Sequence, residues 1–163
     1  MIINLYSIIV TYMPKIDTLI SLIEEMERAD SFTIIIDNSE ADEFIDLENL
    51  QSRYTRLKII KNHRNIGLAA AQNIGIKIAL ESKAHVLAFF DQDSSMRSND
   101  IRSLFMLCHS LNRCVVGPFS IDCRNNQVYP VHNLSQSGFQ NKVNLKTNER
   151  PKKVDIIISS RMF

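Results

Sequence analysis

The sequence predicts an α/β fold, a mostly parallel sheet flanked by helices on both faces. Apolar, β-branched runs alternate through residue 118 with segments whose apolar residues recur at helical spacing. Such a βαβ rhythm builds crossover units that set neighbouring strands parallel. Polar side chains suited to ligand contact, Tyr12, Asp37, Asn62, Asp91 and Asp93, each fall at or just past the end of an apolar run. Open α/β sheets bind ligands beyond the carboxyl ends of their strands.

The elements follow in order. "LYSIIVTY" is a first strand, closed by Met13-Pro14 because proline lacks the N–H a ladder needs. "KIDTLISLIEEMERA" places Ile16, Leu19, Ile20, Ile23 and Met26 on one helical stripe. "FTIIID" is a second strand, ending at Asp37-Asn38-Ser39. A short helix is expected over 42–50, and "LKIIKN" is a third strand. "NIGLAAAQNIGIKIALES" is helical and apolar on most sides, so it is expected to be buried. "HVLAFFDQD" is a fourth, buried strand. Ser98 or Asn99 is expected to cap the helix "DIRSLFMLCHSL", and "CVVGP" reads as a fifth strand. From residue 119 the chain is polar and irregular, a long loop or a hairpin with excursions, before a last strand, "VDIIISS".

Composition narrows the class. A chain of 163 residues with 45% hydrophobic and 23% charged residues suits one globular domain. The expected organisation is a single domain over 1–163, with a ligand-binding part over 1–118. Net charge is +1, which offers no ground for a nucleic-acid partner. The charge is unevenly spread. Residues 1–50 hold 11 acids against 2 bases, and residues 51–163 hold 7 acids against 17 bases. Solvated helix faces account for most of this, and a basic half is also suited to peripheral contact with an anionic membrane surface. The start lacks the basic lead and cleavage site of a signal peptide. Cys108, Cys114 and Cys123 lack paired zinc-site spacing and read as free thiols of a cytoplasmic protein.

Asp91 and Asp93 carry the strongest chemical signal. Alternate residues of an extended strand share a face, so both carboxylates would stand together at a strand mouth. Their repulsion needs an offsetting charge. A hard divalent cation supplies one, since magnesium takes one or two carboxylates together with substrate phosphates. Asp37 reads either as a turn residue or as an acceptor for a ligand N–H. Gly67 stands at a helix start, where backbone N–H groups favour anions.

Taken together, "IVTYMP", "IIIDNSE", "NIGLAAAQNIGI", "FFDQDS" and "VVGP" resemble, in that order, family 2 glycosyltransferases of the GT-A fold. They look most like the bacterial rhamnosyltransferases of cell-surface polysaccharide synthesis. The resemblance implies that Thr11 and Tyr12 line a nucleotide-base pocket and that Asp37 binds the base N–H. It places Asn65 and Gly67 beside the nucleotide and Asp91 at or near the ribose. Asp93, with Asp91, would ligate Mg2+ or Mn2+ on the diphosphate. The implied donor is dTDP-L-rhamnose, and the implied acceptor is a glycan or lipid-linked saccharide at the inner membrane. Transfer would invert the anomeric centre. The family's catalytic base is a carboxylate in a downstream acceptor-binding half. Asp122, Glu149 and Asp155 match no such motif, so the catalytic base is unassigned and the chain is expected to be truncated before that half.

Two alternatives belong to other classes. A non-catalytic nucleotide-binding module would need no base. A haloacid-dehalogenase-type phosphatase would use Asp91 as nucleophile, but that family sets this strand first in the chain and a later acid pair after it. An uncovered apolar last strand would also favour self-association.

Overall fold

A computed structural model of the chain describes residues 3–40, 47–111, 114–118, 128, 131–134, 140–143, 151 and 153. The chain divides into two compact units, Met1–Asn112 and Arg113–Phe163.

The first unit runs β1 (Leu5–Thr11), α1 (Ile16–Arg28), β2 (Phe32–Asp37), α2 (Leu47–Arg53), β3 (Leu57–Lys61), α3 (Leu68–Glu81), β4 (Val86–Asp91) and α4 (Ser98–Ser110). The four strands form one parallel sheet in the order β3-β2-β1-β4. The chain builds outward from β1 through β2 to β3, then returns to the other side of β1 for β4. The strand order therefore reverses between β1 and β4, and such a switch point opens a crevice at the carboxyl ends of the strands.

Alternation along β2 splits the core into two layers. Ile35 joins Ile9, the α1 residues Leu19, Leu22, Ile23 and Met26, and the α4 residues Ile101 and Phe105. Ile34 and Ile36 face the other way, onto Ala71 and Ala79 of α3. Helices thus cover both faces, as the sequence predicts. The contact of α3 is unusually close. A methyl group added at Gly75 would come within 2.7 Å of Ile8 Cγ2, so the glycine permits the helix to sit against β1.

Several expectations change. The helix α3 buries one stripe, Ala71, Gly75 and Ala79, rather than most of its surface; Leu80 remains 60% exposed. Small residues at every fourth position give one flat face, and the bulkier apolar residues are left beside it. The strand β4 ends at Asp91 and is an edge among the described strands, with Phe89 45% exposed. The cap of α4 is neither Ser98 nor Asn99 of its own turn. Ser98 is already helical, and its N–H is taken by Glu25 Oε2 of α1 at 2.6 Å. The helix after β2 is described over Leu47–Arg53 and so runs past the expected end at 50; its expected start at 42 falls within 41–46, which lie outside the described residues. Residues 114–118, expected as a strand, join neither sheet, and Val115 is 79% exposed. An extended segment becomes a strand only where a neighbour takes up its ladder.

In the second unit, β5 (Val131–Leu134) and β6 (Gln140–Val143) pair antiparallel, the hairpin form of the two expected for the segment after residue 118. The expected strand over 154–160 lies outside the described residues. Among the described residues, no helix is long and apolar enough to cross a membrane.

Candidate functional site

The site is built on the carboxyl rim of the first sheet. Asp37 closes β2 in register with Thr11 of β1 and Lys61 of β3. It is 5% exposed, and a buried carboxylate needs donors. Thr11 Oγ1 and Ser39 Oγ each donate to Asp37 Oδ1 at 2.8 Å, and the Ser39 N–H approaches the same oxygen at 3.4 Å. No described residue donates to Asp37 Oδ2. A carboxylate oxygen has two lone pairs, so the second oxygen retains capacity for a ligand N–H. Thr11 is fully buried and reaches the site through Asp37.

Beside Asp37 stands an asparagine network. The Asn38 N–H continues the β1–β2 ladder to Thr11 O at 2.8 Å, and the Asn62 N–H continues β2–β3 to Asp37 O at 2.8 Å. Asn62 Nδ2 donates to Asn38 Oδ1 at 2.8 Å. Asn38 Nδ2 in turn reaches Asn65 Oδ1 and Gly67 O, each at 3.4 Å. Asn65 Oδ1 also accepts the Gly67 N–H at 2.9 Å, a local side-chain turn. Gly67 has φ of 85°, in the left-handed region where glycine carries no penalty. The network fixes the entry to α3 against the end of β2, which brings Asn65 and Gly67 to the same rim as Asp37.

The Asp91–Asp93 motif is arranged differently from the strand-alternation expectation. The strand ends at Asp91, and the Ser94 N–H bonds back to Asp91 O at 3.0 Å, which places Asp93 inside a turn. Both aspartates are exposed, so each keeps hydration and neither carries the burial cost expected for a buried strand end. The residue between them is a structural tie. Gln92 Oε1 accepts the Tyr12 N–H at 2.8 Å, and Gln92 Nε2 donates to Tyr12 O at 3.2 Å. Tyr12, predicted as a base-pocket residue, is 46% exposed directly after β1. It stands at the switch point, tied to the aspartate turn.

The donor set bears on a metal. Among the described residues no group of three or more His, Cys, Asp or Glu side chains forms a metal cage. Two exposed carboxylates suit magnesium or manganese only in the mode in which phosphates and water complete the shell. The residues present fit a metal delivered with a diphosphate.

Two contributors were missed in the sequence. Ser39 follows a strand-ending aspartate by two residues, a spacing typical of side-chain turns, and that signal was legible. Gln92 has no local signature, because its partner lies 80 residues earlier.

A cavity of about 510 Å3 lies at the opposite, amino end of the strands, lined by Asn4, Tyr6, Phe32, Arg56 and Arg102 among others. Arg56 and Arg102 both pair with Asp30 there. This cavity is remote from the rim that carries the candidate residues.

A parallel α/β sheet with a polar rim at its switch point frames a ligand crevice, and the comparisons with known proteins supply the family. Residues 7–163 match the model of glycosyl transferase family 2, and the chain belongs to that family. It is 34% identical over 161 residues to the dTDP-rhamnosyl transferase RfbF of Shigella flexneri, an alignment covering 96% of this chain and 52% of that protein. The chain thus spans about half the length of that curated relative. The crystal structure of S. aureus TarS 1-349 superposes with a TM-score of 0.54 at 11% identity, covering 83% of this chain and 43% of that one. That likeness shows the fold, which is GT-A. Family membership removes the support for the phosphatase alternative, which rested on the same two aspartates.

Proposed function

We propose that this chain forms the donor-binding part of a metal-dependent, inverting rhamnosyltransferase of bacterial cell-surface polysaccharide synthesis. It takes dTDP-L-rhamnose as donor and a glycan or lipid-linked saccharide as acceptor. The observation that carries this reading is the 34% identity to a dTDP-rhamnosyl transferase along nearly the whole chain. The family match runs through both compact units, which supports treating residues 1–163 as parts of one catalytic domain. The expected setting is the cytoplasm, at the inner membrane, with the basic half of the chain toward anionic lipid.

The residues take these roles. Asp37, oriented by Thr11 and Ser39, accepts the base N–H through its second carboxylate oxygen. Tyr12 lines the base, Asn65 and Gly67 lie beside the nucleotide, and Asp91 is near the ribose. Asp93, with Asp91, holds Mg2+ or Mn2+ on the diphosphate. When bound, the cation offsets the charge that develops on the leaving nucleotide diphosphate. In the transfer itself, the acceptor oxygen forms a bond to the anomeric carbon as the bond to the phosphate oxygen breaks. The hydroxyl proton passes to a general base, which no residue of this chain is assigned to be.

Calorimetric titration of the chain with dTDP, UDP and GDP, each with Mn2+ and with chelator, tests the reading. Metal-dependent binding of dTDP, lost in Asp93→Ala, is expected. A folded chain that binds none of the three overturns it and favours a module without nucleotide chemistry.

A further inference from the structure

We propose that Gln92 is a positioning residue that couples the base end of the site to its diphosphate–metal end; this rests on the nucleotide-sugar reading above. The strands β1 and β4 stay in register to the pair Val10 and Asp91, and there the regular ladder stops. Gln92 continues it with a side chain. Its primary amide presents a carbonyl and an N–H in one plane, as a peptide group does, and it takes up both backbone groups of Tyr12 at 2.8 and 3.2 Å. A carboxylate would only accept and an ammonium would only donate. Asparagine would be one methylene shorter.

The tie continues into the base pocket. Met13 follows Tyr12 with φ of 45°, a left-handed conformation that costs a non-glycine residue energy unless neighbours impose it. Two clamps do so. Gln92 holds the residue before it, and Ser39 Oγ accepts the Met13 N–H at 2.9 Å while donating to Asp37 at 2.8 Å. A continuous path therefore runs from the Asp91–Asp93 turn through Gln92, Tyr12, Met13 and Ser39 to Asp37. Since Gln92 lies between the two aspartates, the bonds that shape the loop after β1 also anchor the aspartate turn. The distance between base acceptor and diphosphate end is then set before a nucleotide arrives, and preorganisation of this kind raises affinity without a new ligand contact.

The test compares wild type with Gln92→Ala and Gln92→Glu in two readouts. The first is backbone amide exchange of the ligand-free chain. In Gln92→Ala the Tyr12 amide is expected to exchange about tenfold faster, as for loss of a hydrogen bond of ordinary strength, with the Ile9 amide of the core unchanged. Gln92→Glu keeps the acceptor and should protect Tyr12 almost as well as wild type. The second is calorimetry with dTDP plus Mn2+, with dTMP, and with pyrophosphate plus Mn2+. Gln92→Ala is expected to weaken dTDP by about tenfold and each fragment by no more than about threefold, the non-additivity of a lost coupling. Unchanged Tyr12 exchange overturns the clamp. Faster exchange with unchanged dTDP affinity, or an equal loss for dTDP and its fragments, overturns the coupling. Protected Tyr12 in a wild-type chain that binds no dTDP overturns the nucleotide reading, and the coupling with it.

Discussion

The Glu25 carboxylate of α1 accepts the backbone N–H of Ser98, 73 residues further on, at 2.6 Å, and so caps α4 from another helix. Its other oxygen takes the Arg28 guanidinium at 2.7 Å. First the Arg28 hydrogen bond and then that of the Ser98 N–H hold the Glu25 carboxyl below its ordinary value of 4.5. A depressed folded-state value means that the contribution is complete above about pH 4.5 and is lost as pH falls through the lower folded value. Acid titration followed by circular dichroism is expected to show a shallower loss of stability below that pH in Glu25→Ala than in wild type. Glu25→Gln keeps an acceptor for Ser98 and loses the pH dependence, so it should be the milder change at neutral pH.

Gly75 and Ile8 set the spacing of α3 from the sheet. Alanine is the better helix former by roughly 1 kcal/mol, but its methyl would sit 2.7 Å from Ile8 Cγ2. That methyl is carried directly on the branched Cβ of a buried strand residue and so is unable to swing away on a flexible arm. Overpacking of this kind costs about 1–3 kcal/mol. Gly75→Ala is expected to destabilise the chain by about 1 kcal/mol net, and Gly75→Val by more, in urea unfolding. A stabilised Gly75→Ala would mean that α3 shifts freely.

Thr11→Val removes one of the two close hydroxyl donors to Asp37 Oδ1 at nearly constant volume. Leaving a buried carboxylate short of a donor costs about 1–3 kcal/mol, read as a lower midpoint in urea. Nucleotide affinity should fall in the same variant, because Asp37 loses its orientation. Asp37→Ala should abolish dTDP binding while the fold persists.

The aspartate turn makes a prediction about metal order. With no group of three or more His, Cys, Asp or Glu side chains gathered among the described residues, free Mn2+ should bind weakly. Paramagnetic titration is expected to show Mn2+ affinity rising at least about tenfold when dTDP is present, since phosphates complete the shell. Asp93→Asn should remove that rise. Equal Mn2+ affinity with and without dTDP would sink the shared-shell arrangement.

Much of the fold was legible. The β1, β2 and β3 boundaries fall within a residue or two of those read from the apolar runs, because buried parallel strands are nearly continuous in apolar residues. The amphipathic stripe of α1 was equally plain. The end of β4 was not, because "FFDQD" gives no sign of where extended chain becomes turn; the bond from Ser94 to Asp91 decides it. The burial of α3 was overstated, since average apolarity does not tell which face a sheet will cover. Of the candidate site residues, Tyr12, Asp37 and Asp91 stand at the rim of the first sheet because they lie at or just past strand ends, whereas Asn65 and Gly67 are brought there by the asparagine network at the entry to α3.

What the sequence determined by itself was the layer order and the rim. Periodicity of 2 and of 3.6 is local information, and the carboxyl end of a parallel strand is a position in the chain. What only the tertiary structure decided was which polar groups satisfy one another there. Glu25 with Ser98, Gln92 with Tyr12, and Thr11 with Asp37 join segments from 26 to 80 residues apart. A hydrogen bond needs two groups within about 3 Å. Nothing in the spacing of either segment encodes that distance until packing of the apolar layers brings them to it.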